Sequence, residues 1–185
     1  MGRRTISAGV PMIFNRQAAV RVPIPELERF LTRVRRKLRV SAGAVTVCFV
    51  TNAQMARWNK DFRAKRGPTD VLSFPADDAT AGEARPVALE RSLSPKPASR
   101  NARKRASGIS VASSIARTSY LGDIAIAPAV ACANARRFGR TFANELRILI
   151  LHGVIHLLGY DHETDHGEMD RLEESLRRSL GLEQL

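Results

Sequence analysis

Residues 146–158, L-R-I-L-I-L-H-G-V-I-H-L-L, constrain the fold more than any other stretch of this chain. The segment is apolar on nearly every face of a helix, so the helix must be wrapped by other elements. It is also too short, and too interrupted by His152 and His156, to cross a bilayer. A soluble domain built around a buried helix is the solution left. Thr141 can open that helix, and Gly159 can close it in a left-handed C-cap.

With 185 residues there is room for one domain, 1–185, with a real core. The remaining periodicities alternate between strand and helix. A short strand is expected over 10–15. A helix follows from Glu26 with Leu27, Phe30, Leu31, Val34 and Leu38 on one face, and ends before Gly43. The β-branched run Val45–Val50 reads as a buried strand. Thr51 or Asn52 then caps a helix through Met55, Trp58 and Phe62, which Gly67-Pro68 should stop. Strands are expected at Val71–Phe74 and again at L-G-D-I-A-I-A, from 121. Helices are expected from Pro128 to about Gly139 and, after Asp165, through Met169, Leu172, Leu176 and Leu180. Alternation of this kind implies an α/β (α+β) fold, a small mixed β-sheet covered by helices around the central buried one.

Residues 76–120 break the pattern. Alanine, serine, proline and arginine dominate there and no apolar period persists, so a mobile basic insertion is expected. Its cluster Arg100, Arg103, Lys104, Arg105 reads equally as a phosphate contact or as a solubilising loop. The first forty residues hold ten basic and two acidic side chains, and the whole chain carries +12. Such a field favours a polyanionic partner over a merely solvated basic surface. The N-terminus lacks the continuous apolar core of a secretion signal, so a cytoplasmic protein without membrane contact is expected. Cys48 and Cys132 lack a C-x-x-C spacing or a nearby histidine, and read as small hydrophobes.

The chemistry lies in H-G-V-I-H-L-L-G-Y-D-H, residues 152–162. His152 and His156 stack one turn apart on one helix face. Gly159 lets the chain double back and bring His162 toward them. Two histidines alone are often hydrogen-bonded core residues; three converging imidazoles are costly to bury without a cation to unite them. Three nitrogen ligands at zinc leave one coordination position open, as in catalytic sites. The spacing matches the metzincin peptidase helix, H-E-x-x-H-x-x-G-x-x-H, but Gly153 stands where those enzymes need a glutamate as general base. A peptidase is therefore disfavoured.

The same segment resembles the hallmark H-G-x-x-H-L-x-G-Y-D-H of the YbeY family, metal-dependent endoribonucleases also described as ribosomal RNA maturation factors. F-R-A-K-R-G-P-T-D-V-L-S-F-P (62–75) and L-G-D-I (121–124) resemble two further family segments, in the same order. The basic insertion is a departure, since the family usually joins these strands by something shorter. The resemblance implies a metalloprotease-like fold in which His152, His156 and His162 ligate one Zn2+. It implies Arg63 as the catalytic and substrate-binding arginine, with His152 and His156 sharing the catalytic centre. It implies single-strand-specific cleavage of RNA, not DNA, in maturation of the 3′ end of small-subunit ribosomal RNA and in ribosome quality control. The partners implied are ribosomal RNA and the small ribosomal subunit. Asp70 and Ser73 are candidate substrate-binding residues, with plain turn and strand chemistry as the alternative. Asp123 either faces the site or fixes a turn, and Asp161 is placed to orient a ligand imidazole. His166 is expected to be exposed. Two other functions stay open at this level: a metallohydrolase acting on a peptide or amide, and a non-catalytic RNA-binding assembly factor with a structural zinc.

Overall fold

Strand and helix alternate as the periodicities require, and the order in which strands pair is what the sequence hides. The structure, a computed structural model, describes residues 12–76, 120–162 and 164–182. In chain order the elements are β1 (Ile13–Asn15), α1 (Ile24–Leu38), β2 (Val45–Phe49), α2 (Asn52–Arg63), β3 (Val71–Pro75), β4 (Gly122–Ile126), α3 (Pro128–Arg137), α4 (Phe142–Leu157) and α5 (Glu168–Leu180). The insertion expected over 76–120 lies, but for its two end residues, outside the described residues, as does its arginine cluster.

The strands form a mixed sheet in the order β1-β2-β4-β3. β1, β2 and β4 run parallel, while β3 pairs antiparallel to β4 along one edge. All five residues of β2 and all five of β4 are buried, as expected for inner strands covered on both faces. Register aligns Thr46 with Asp123 and Asp123 with Phe74. Successive side chains alternate across the sheet, so Ile124 and Ile126 face one side and Asp123 and Ala125 the other.

The first side is covered by α1 and α4. Leu27, Phe30, Leu31 and Val34 of α1 are fully buried with Ile124, Ile126, Leu146, Ile150 and Ile155 in one continuous core. Burying each of the four α1 side chains contributes at most about 1.5–3 kcal/mol. The second side is covered by α2, where Met55 and Trp58 pack on Cys48, Leu72 and Ala125.

Helix boundaries follow local chemistry. α1 starts two residues before Glu26, because Pro25 is at home in a first turn. Thr51 Oγ1 accepts from Gln54 N at 3.2 Å, and Thr141 Oγ1 from Asn144 N at 3.2 Å, capping α2 and α4. α2 ends at Arg63, short of Gly67-Pro68, because Ala64 takes the left-handed C-cap at φ 55°. Its amide bonds Lys60 O and that of Lys65 bonds Asn59 O, closing the helix. At the start of α5, Asp165 accepts from Gly167 N and Met169 N, and Glu168 reaches back to His166 N.

Candidate metal centre

α4 runs through the middle of the molecule because its apolar surface is nearly continuous: ten of its sixteen residues are buried. Gly153 faces the sheet. A Cβ there would lie 2.8 Å from two carbons of Ile124, so glycine is what lets the helix axis lie this close to β4. The same contact puts Ser73 of β3 against the helix, its hydroxyl donating to Gly153 O at 3.4 Å.

His152 and His156 emerge from the last two turns of α4, half-buried, and His162 is exposed on the turn beyond Gly159. The three side chains come together, each offering a ligand nitrogen within 4.8 Å of the others. His152 Nε2 and His156 Nε2 lie 3.0 Å apart. Each ring has its other nitrogen engaged outward. His152 Nδ1 is 3.0 Å from Glu173 Oε2, and His156 Nδ1 is 2.9 Å from the carbonyl oxygen of Tyr160. A carboxylate and a carbonyl only accept, so both Nδ1 atoms carry hydrogens, an assignment made from their partners. In neutral rings this leaves two Nε2 lone pairs aimed at one another. That is unfavourable unless a cation sits between them.

The donor set fits a metal. Nitrogens 2.0–2.1 Å from zinc at tetrahedral angles lie about 3.4 Å apart. The helical pair is nearly there, and His162, on its exposed turn, closes in by at most roughly 1.5 Å. Burial, followed by the neighbouring His152, lowers the His156 pKa and favours the neutral ligand form.

Glu173 is the functional residue that the histidine motif does not reveal. It sits in α5, buried between Met169 and Leu176. Burial would raise its pKa, but the hydrogen bond from His152 and the charge of Arg177 hold it below the usual range. Arg177 Nη2 donates to Glu173 Oε1, which leaves Oε2 for His152. The signal was present: an acid at 173 interrupts the apolar stripe 169, 172, 176, 180. The carboxylate on the outward nitrogen of His152 belongs to Glu173, while Asp161 adjoins His162 in sequence.

The other candidates fall in different places. Arg63 is exposed at the end of α2. Asp70 has both oxygens engaged, Oδ1 by Thr69 Oγ1 and Val71 N and Oδ2 by Asn134 Nδ2, which ties the start of β3 to α3. Asp123 is fully buried on the sheet side opposite Ile124, where Tyr120 Oη donates to it and Tyr120 also reaches Thr46. Burial holds its carboxyl above the usual range. His166 is exposed and is not in the histidine group. The Cys48 thiol is buried and pushed up to about 11 by that burial, consistent with an inert packing residue. No described helix is long and apolar enough to cross a membrane.

Comparison with known proteins gives the family. A family model described as endoribonuclease YbeY matches residues 12–181. The endoribonuclease YbeY of Solibacter usitatus is 37% identical over 168 residues, covering 90% of this chain and 86% of that protein. That of Koribacter versatilis is 36% identical over 171 residues, covering 92% and 86%. A Thermotoga maritima solution structure aligns at 22% identity and a TM-score of 0.44 over 91% of this chain and 87% of its own. A match over nearly the whole chain places this protein in the endoribonuclease YbeY family.

Proposed function

We propose that this protein is a zinc-dependent endoribonuclease that cuts single-stranded RNA during maturation of the small-subunit ribosomal RNA 3′ end and in ribosome quality control, in the cytoplasm. The observation that carries the reading is the facing pair of Nε2 atoms on His152 and His156, each ring already committed through its other nitrogen. Relatives named endoribonuclease supply the reaction class.

In this reading His152, His156 and His162 hold one Zn2+. When bound, the ion supplies Lewis-acid polarisation of the scissile phosphate and acidifies water. The rest is done by the chain. Glu173 and the Tyr160 carbonyl hold two ligand rings in the tautomer that presents Nε2. Arg63 neutralises charge developing on the phosphoryl oxygens through its planar fork of donors. Ser73, whose bond to Gly153 is long, turns its hydroxyl to the substrate, and Asp70 fixes the turn that joins Arg63 to β3. Gly153 offers no proton acceptor, so the chain contributes orientation and charge rather than a base at that position. The basic residues before position 67 hold the RNA backbone with little sequence preference.

The test is cleavage of a small-subunit ribosomal RNA fragment, and of DNA of the same sequence, by zinc-loaded protein. RNA is cut and DNA is spared. Arg63→Ala lowers cleavage about 100- to 1000-fold while keeping the metal, the scale of losing one charge-stabilising donor. His156→Ala loses metal and activity together. Undiminished cleavage by Arg63→Ala, or none by fully loaded wild type, refutes the proposal.

A further inference from the structure

The end of α2 and the loop after it concentrate charge. Residues 57–66 hold Arg57, Lys60, Arg63, Lys65 and Arg66 against one acid, Asp61, and all six are exposed. Phe62 stands among them at 59% exposure, the most exposed large apolar side chain of the described residues. The ring is not loose. It meets Phe74 edge-on at 5.1 Å, and Phe74 meets the buried Trp58 in the same manner at 5.7 Å. Three rings thus run from the α2 core outward, and the last is held in place with much of its surface open.

A solvated basic face does not require an anchored, exposed aromatic ring. Cations interleaved with such a ring are what single-stranded nucleic acid requires, phosphates meeting the cations and a base stacking on the ring. We infer that Phe62 is the stacking platform for one base of the RNA strand, with Lys60, Lys65 and Arg66 holding adjoining phosphates. This rests on the endoribonuclease reading and adds a binding contact to it. Successive helical residues point about 100° apart, so Phe62 and Arg63 act on neighbouring faces of one turn. Phe62 fixes the register of the strand there, and because every base has a face to stack, it does so without selecting sequence.

The experiment is equilibrium binding of a fluorescent 2′-O-methyl oligonucleotide, checked intact by gel after each titration, to zinc-loaded protein across 50–200 mM salt. Phe62→Leu weakens binding about 5- to 100-fold at every salt concentration and leaves the salt slope unchanged, since no phosphate contact is lost. Phe62→Trp restores most of the affinity. Lys65→Gln lowers the slope by about one. Zinc content of Phe62→Leu matches wild type, and its Tm falls by no more than a few degrees, the loss of the single edge-on contact with Phe74. Wild-type binding with an indifferent Phe62→Leu, or an altered slope, overturns the inference alone. Wild-type protein that binds no RNA overturns the endoribonuclease reading as well.

Discussion

Replacing Gly153 with alanine tests whether the histidine helix is held against the sheet by the absence of one methyl group. The new Cβ would meet Ile124 Cδ1 and Cγ2 at 2.8 Å and Cγ1 at 3.1 Å. Ordinary carbon contacts lie at about 3.5–4.0 Å, so the overlap at the two nearest atoms is roughly 0.7 Å. Ile124 cannot easily yield. It is fully buried on an inner strand, and its β-branch is stiff at χ1. Overpacking of this kind costs about 1–3 kcal/mol, and alanine returns about 1 kcal/mol through better helix propensity. The expected net loss is about 0–2 kcal/mol, a fall in Tm of at most roughly 8 °C for a chain of this size. Displacement of α4 also carries His152 away from Glu173 and lengthens the bond from Ser73 to Gly153 O. Zinc affinity, read by chelator competition, therefore falls with stability. A double-mutant cycle with Ile124→Ala, which removes all three clashing carbons, returns a favourable coupling of about 1 kcal/mol or more. A Gly153→Ala protein more stable than wild type by about 1 kcal/mol would refute the close-approach argument, because propensity alone predicts that result.

Two further substitutions probe the residues that set the site and its flank. Glu173→Gln keeps the shape but removes the charge facing His152 Nδ1, and zinc affinity falls about 10-fold or more with the fold intact. Competition with a chelator of known affinity measures it, and an unchanged dissociation constant would remove Glu173 from the site. Ala64→Gly relieves a left-handed backbone at φ 55° and raises stability by about 1 kcal/mol in urea unfolding. A loss of stability would show that the methyl group matters more than the strain.

The histidine frame was legible because the information is local. Spacings of four, and a glycine followed three residues later by a histidine, fix which rings share a face whatever the rest of the chain does. The cap residues Thr51 and Thr141 were legible for the same reason. The end of α2 was not, since Gly67-Pro68 is the louder stop signal and nothing about alanine announces a left-handed cap at residue 64. The strand order was hidden as well. β4 enters between β2 and β3, so β3 becomes the antiparallel edge only after the chain has returned from position 76 to position 120. Pairing over that distance leaves no trace in a local period.

Gly153 illustrates how a residue can be misread, and Glu173 how one can be passed over, when its role is tertiary. At position 153 the sequence invites comparison with peptidases, in which a glutamate stands there, and glycine then registers only as a missing base. In the folded chain it is the residue that brings α4 against Ile124 and so sets where His152 and His156 stand. A glutamate at 153 would meet the same wall of Ile124 carbons that stops a single methyl. The carboxylate comes instead from α5, where Glu173 reaches the outward nitrogen of His152. An acid in that place cannot contact the reacting phosphate through the imidazole, but it can hold the ring and its proton. In the proposed reading the three-histidine frame orients a cation beside basic residues, and the packing of α4 against β4 leaves no room at position 153 for the glutamate that general-base hydrolysis of a peptide would need.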